Sequence, residues 1–141
     1  MNEWQQAIAN LTSEDWKELS ALNDAIQANE LPWGETVEPI KTAEHQFEVG
    51  YVSHSALLSE FIKIWYEKDL VIPFDWQAWR EGKHWLTLDG ETKYDTLDDE
   101  TALKLITAII RNDRFADGVL LHHFDTGVMQ KIINTFISNH S

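Results

Sequence analysis

The chain has 141 residues, 43% of them apolar, with seven Trp and no Cys, and a formal net charge of −13 from 24 acidic and 11 basic residues. That length suits one domain with its own core, and the apolar content sets disorder aside. The absence of Cys excludes a disulfide scaffold, a thiolate metal site and a cysteine nucleophile, and so negative a charge argues against direct binding to phosphate backbones.

The charge is uneven. Residues 1–60 hold eleven acids against Lys17 and Lys41, a net of −9, and the remainder carries −4. The start, Met1-Asn2-Glu3-Trp4, has neither the basic nor the apolar region of a secretory signal. No apolar run nears the ~20 residues that a membrane span needs. A cytoplasmic location is expected.

In chain order, Trp4, Ile8 and Leu11 give one face of a short helix. Thr12-Ser13-Glu14-Asp15 matches a capping box and opens a second, with Trp16, Leu19, Leu22 and Ile26 as its apolar stripe. Pro32 and Gly34 mark a loop, expected to span 30–44. His45, Phe47, Val49 and Tyr51 then alternate with polar or small residues and form the best strand candidate. A lone strand leaves its backbone groups unpaired. It must pair elsewhere, with Leu70–Ile72 or Trp85–Leu88 as candidates, or else be an extended loop.

Ser53 or Ser55 caps the next predicted helix, whose broad face is Leu57, Leu58, Phe61, Ile64 and Trp65 and which ends near Lys68. Asp75 stands where an N-cap belongs, ahead of a short helix carrying Trp76 and Trp79 and stopping at Gly82. Residues 87–96 are polar, with a turn at Asp89-Gly90. Asp98-Asp99-Glu100 begins the clearest helix, expected to run to about Phe115. Gly118 and Gly127 then bracket a short helix and precede the last one, on Val128, Ile132, Ile133 and Phe136. The fold class is therefore mainly α: one domain, 1–141, of about six helices in an irregular orthogonal bundle, with a small β-hairpin or extended segment. Trp4 and Trp33, in the acidic first half, are the tryptophans expected to be partly exposed.

The most informative segment is Arg111-Asn112-Asp113-Arg114-Phe115-Ala116-Asp117-Gly118. On a helical wheel Leu103, Ile106 and Ile110 fall within about 60° of one another. If the same helix continues, Arg114 and Asp117 land on that apolar face and Arg111 at its edge. Buried charges must be paired, hydrogen-bonded or solvated in a cleft. One reading is a structural Arg–Asp clamp. The other is a cleft in which Arg111 or Arg114 meets a phosphate or carboxylate. Asp75, Trp76 and Trp79 either line a ligand site with them or are a capped helix with core tryptophans.

The stretch from Leu105 to Gly118, followed by Gly127 and an apolar helix, resembles an uncharacterised bacterial family, domain of unknown function number 6508. Asp75-Trp76 with Trp79 also resembles an upstream aromatic element of that family, and the likeness is carried mainly by residues 74–137. Many relatives have Cys where this chain has Ala116. The resemblance implies no activity, cofactor or catalytic residue.

No other motif points to chemistry. Neighbouring helical residues diverge by about 100°, so His122 and His123 do not suit one metal ion, and neither metal nor cofactor is expected. His54 and His84 read as surface or capping residues. The Ser53-His54-Ser55 run is a helix start, and no nucleophile elbow, phosphate loop or dinucleotide fingerprint is present. The function expected is a non-enzymatic interaction or anionic-ligand-binding module, with a protein partner and a site at Arg111, Arg114, Asp117, Asp75, Trp76 and Trp79. The alternative is an acidic inhibitor from a mobile element that imitates nucleic acid in a basic groove, its face formed by Glu14, Asp15, Glu18, Glu35, Glu38, Glu44 and Glu48. A third is an unrecognised enzyme acting on an anionic small molecule.

Overall fold

The computed structural model describes residues 2–37, 40–43, 46–48, 51–87, 94–114, 116 and 118–140. Among them are seven α-helices: α1 (Glu3–Ala9), α2 (Ser13–Ala28), α3 (Ala56–Glu67), α4 (Arg80–Thr87), α5 (Asp99–Asp113), α6 (Val119–Asp125) and α7 (Val128–Ser138). Four short strands lie between α2 and α3: β1 (Gly34–Val37), β2 (Ile40–Ala43), β3 (Gln46–Glu48) and β4 (Tyr51–His54). The fold is mainly α.

Most helix starts follow from local chemistry. Thr12 Oγ1 accepts from the Asp15 amide while the Asp15 carboxylate accepts from the Thr12 amide, closing the expected capping box. Asn2 and Gln5 form the same device ahead of α1, leaving Leu11 beyond that helix's end. Ser55, rather than Ser53, caps α3, and Asp98 caps α5 through the Thr101 amide. The Thr101 hydrogen bonds hold the Asp98 carboxyl below its ordinary value. Gly118 and Gly127 precede α6 and α7 at φ 94° and 82°, a region that costs glycine nothing because it has no Cβ.

The expected strand pairs with neither of its candidate partners. Its partner comes from 34–43, all of which lies in the expected loop. Gly34 to Val37 pair antiparallel with His54 to Tyr51, and Ile40 to Ala43 with Glu48 to Gln46. Glycine punctuates a sequence whether it breaks structure or admits a close neighbour. Here it does the latter, since a Cβ on Gly34 would lie 2.1 Å from the Ser53 carbonyl oxygen. Gly82 repeats the lesson. It does not stop a helix at Trp76 and Trp79; it sits in the first turn of α4, and a Cβ there would lie 2.2 Å from the indole of Trp79. Trp76 and Trp79 precede α4. The Asp75 carboxylate accepts from the Ala78 amide at 3.3 Å, closing a turn instead of capping a helix. The expected Asp89-Gly90 turn lies outside the described residues.

Helix α5 runs through the core. From Ala102 to Ile110 only Lys104 is not buried. α7 packs on α2, α5 and α6, with Phe136 against Trp16 and Trp65. Trp4 and Trp33 are both 7% exposed, not partly exposed as expected from the charge around them. Trp33 packs on Phe124 of α6 at 4.6 Å between ring centroids, and Trp4 and Phe74 meet edge to face at 5.3 Å. A locally acidic sequence says nothing about which side chains later elements cover.

Lys68, at the end of α3, joins that helix to α2: its ammonium is 2.8 Å from Asp15 and 2.5 Å from Glu18. Its side chain is only 9% exposed. Burial opposes its charge, but the hydrogen bonds to Asp15 and Glu18 outweigh this and raise its pKa above 10.5. The Lys68 hydrogen bond, helped by the Thr12 amide, lowers Asp15 from 3.8 to about 2. A depressed carboxylate stabilises the fold above its unfolded value, and that stability is lost as pH falls through the folded value. A raised ammonium contributes below 10.5 and loses its contribution as pH climbs through its folded value. Lys68→Met is therefore expected to flatten the fall in urea midpoint between pH 3.8 and about 2. An unchanged acid limb would show that the pair does not couple α2 to α3.

Candidate functional site

The Arg111–Gly118 segment does not continue as one helix. α5 ends at Asp113, and Arg114 is its C-cap, with φ −69° and ψ −25°. Ile110 is the last buried residue of α5. Arg114 is therefore exposed and does not join the apolar stripe expected of it. Its guanidinium carbon lies 5.9 Å over the ring of Tyr66, an aromatic side chain 36% exposed on α3. Asp117 and Phe115 lie outside the described residues, so the expected Arg114–Asp117 clamp does too.

Arg111 is half-buried. Its Nε is buried and has no hydrogen-bond partner among the described residues. Among the described residues no carboxylate pairs with Arg111 or Arg114, whereas Lys17, Lys63, Lys68 and Lys104 each lie within 4.0 Å of one. On the wheel Glu100, Lys104 and Arg111 fall within about 40° of one another, forming a partly open stripe on an otherwise covered helix. The aromatic element sits further back along this stripe. Lys104 Nζ is 5.7 Å from the Trp79 ring centroid, 5.9 Å from that of Trp4 and 3.6 Å from Glu100. Seven residues, about 10 Å of helix, separate Lys104 from Arg111. Trp79 and Arg111 thus lie along one side of α5 without forming one cluster. Trp76 is half-buried and Asp75 is exposed.

Asp113 and His54 are the residues that sequence reasoning passed over. Asp113 Oδ1 accepts from the amides of Gly118 at 3.2 Å and Leu120 at 3.1 Å. It thereby supplies the cap that Gly118, without a side chain, cannot give α6. Its other oxygen faces His54 Nε2 at 3.9 Å, and both side chains are about one-fifth exposed, at 23% and 20%. His54 is therefore half-buried against the end of α5, not a surface or capping residue. The available signal was a capless glycine opening a helix with an acid five positions upstream. His54 has no such signal, because β4 and α5 are far apart in sequence.

The His122 and His123 rings meet edge to face at 5.6 Å. Burial, joined by the charge of His122 and opposed by a hydrogen bond from Nδ1 to the Val119 carbonyl, lowers the His123 pKa below 6.5. The His84 side chain is outside the described set. No group of three or more possible metal ligands occurs among the described residues. Of the proposed acidic face, Asp15 and Glu18 hold Lys68, and Glu14 lies 3.3 Å from Lys17. Glu35 is exposed on β1. Glu38, Glu44 and the Glu48 side chain fall outside the described residues.

These elements define a small helical domain carrying a β-hairpin, with two arginines three positions apart at the end of its central helix. The model of a family of unknown function, DUF6508, matches residues 11–138. The chain belongs to that family, and the match extends upstream of the Arg111–Gly118 segment through the hairpin to the start of α2. No curated protein and no solved structure matches the chain.

Proposed function

We propose that this domain is a non-enzymatic binding module whose recognition surface is the C-terminal end of α5. Arg111 and Arg114 there receive an anionic ligand or an acidic group of a protein partner. The supporting observation is that among the described residues no carboxylate pairs with Arg111 or Arg114, while Lys17, Lys63, Lys68 and Lys104 each have one, in a chain where acids outnumber bases 24 to 11. A hydrogen bond to a charged group contributes about 1.5–3 kcal/mol, and a buried donor left without an acceptor is destabilising. Trp79 lies further back along the same side, and with Asp75 and Trp76 before it in the chain it widens the surface available to a partner. The cysteine-free composition fits the reducing cytoplasm, and no helix among the described residues is long and apolar enough to cross a membrane.

The nucleic-acid-mimic reading has less support, because the acids at the start of α2 already have cations. The test is capture from lysate of the native host with wild-type protein and with an Arg111→Ala/Arg114→Ala variant. Circular dichroism melts establish that both are folded. A partner held by the wild type and lost by the folded variant supports the module. Equal capture by both removes it.

A further inference from the structure

We propose that Trp4, Phe74 and Trp79 form an aromatic site for a methylated ammonium group, which the side chain of Lys104 occupies when no ligand is bound. This site stands apart from the arginine pair and does not rest on it. Lys104 is the one residue between Ala102 and Ile110 that is not buried. Its Nζ lies 5.9 Å from the ring centroid of Trp4 and 5.7 Å from that of Trp79, inside the roughly 6 Å over which an indole face attracts a cation. Phe74 meets both indoles edge to face, at 5.3 and 5.6 Å, so the three rings are continuous. The Glu100 carboxylate stands 3.6 Å from the same Nζ and accepts a hydrogen bond from Asn2 Nδ2. Aromatic walls around one cation position are the arrangement that recognises quaternary ammonium and methyl-lysine groups.

The walls are set before any ligand arrives. Trp4 is carried by α1, which is fixed by its capping box. The Trp79 indole lies where a Cβ on Gly82 would fall, at 2.2 Å, which seats it on the first turn of α4. A preformed site spares the ligand the cost of ordering it. The occupant is held less firmly. The side chains of Lys104 and Glu100 are 25% and 37% exposed, and ion pairs of this kind contribute little. Lys104 has a flexible stem and a compact, strongly hydrated ammonium. Methyl groups on the nitrogen keep the charge and exclude that water, so a methylated ammonium enters an aromatic site at lower desolvation cost. The ligand takes the place of the Lys104 ammonium, and its way in is the opening through which that ammonium already reaches solvent. The net charge of −13 favours a cation as ligand.

Isothermal titration of the full chain with choline, with dimethylbutanol as its uncharged carbon analogue, and with acetylated trimethyl-lysine amide tests this. Lys104 and the ligand compete, so the apparent affinity of the wild type is reduced by the fraction of molecules in which Lys104 has withdrawn. Lys104→Gln, folded by its circular dichroism melt, is therefore expected to bind choline at least about tenfold tighter than the wild type, with dimethylbutanol at least about tenfold weaker than choline. Adding Trp79→Leu to that variant is expected to abolish the binding. The lysine derivative binding tighter than choline identifies a methylated lysine side chain, and equal binding identifies a free quaternary amine. Choline binding no tighter to folded Lys104→Gln than to the wild type, or dimethylbutanol binding as well as choline, overturns the site. Lys104→Met replaces the glutamine variant if that one does not fold. Failure of both to fold makes Lys104 a structural pin and also overturns the proposal.

Discussion

Phe136→Ala is expected to lower stability by about 3–5 kcal/mol, the range for truncating a fully buried aromatic side chain. Phe136 is 0% exposed and is shared by several elements. Its ring centroid lies 5.6 Å from Trp16 of α2, 5.9 Å from Trp65 of α3 and 5.7 Å from His140. The last of these stacks on Trp16 at 4.2 Å and holds Asp99 at 2.7 Å. Loss of the ring removes apolar transfer energy and leaves a space that three separate elements must close together. Domains of this kind are stable by about 5–15 kcal/mol in total, so the variant stands near the threshold of folding. The check is urea unfolding followed by tryptophan fluorescence: the midpoint should fall sharply with little change in slope. A shift equivalent to less than about 1 kcal/mol would mean that α7 does not organise the core in this way.

Gly34→Ala is expected to destabilise as well, by a net of about 1–2 kcal/mol. Two effects oppose one another. Alanine restricts the unfolded chain, which by itself stabilises by about 0.4–1 kcal/mol where the native backbone accepts it. The new methyl group, however, would sit 2.1 Å from the Ser53 carbonyl oxygen and 3.1 Å from Leu121. A side chain can rotate away, but the Ser53 carbonyl is backbone. It lies just ahead of the Ser55 amide, which donates to the Trp33 carbonyl at 2.8 Å. Relief therefore spreads the base of the hairpin, and overpacking of this kind costs about 1–3 kcal/mol. Thermal melting should show a fall of a few degrees. A melting temperature at or above that of the wild type would mean that β1 and β4 do not approach as described.

The two substitutions probe different parts of one arrangement. Phe136 tests the packing of α2, α3 and α7, and Gly34 tests the seating of the hairpin on α6. The arginine pair depends on both, because α5 is held by α7 on one side, while Asp113 at its end is tied to α6 and faces His54 at the end of β4. A change in anion binding is therefore interpretable only in variants whose melts match the wild type.

The sequence alone determined what is decided within about four residues. Thr12 with Asp15, Ser55 and Asp98 each sit within three positions of the amide they satisfy, so helix starts are written locally. The stripes Leu19–Leu22–Ile26 and Leu103–Ile106–Ile110 likewise name their buried faces, because helical periodicity is a local property, and the Arg111–Gly118 run carried enough specificity to point to the family. Tertiary structure decided the rest. The strand's partner was hidden because Pro32 and Gly34 have the same composition in a loop as in a tight hairpin base. Gly82 looked like a stop signal, and only the assembled structure shows the Trp79 indole lying where a side chain would begin. Trp4 and Trp33 sit among acids yet are covered by Phe74 and Phe124, residues 70 and 91 positions away in the chain. Arg114 followed the helical phase in its backbone but found Tyr66 at the surface, since Ile110 is the last buried position of α5. Burial of one particular side chain depends on which distant segment arrives to cover it, and that is a property of the assembled chain, not of any window within it.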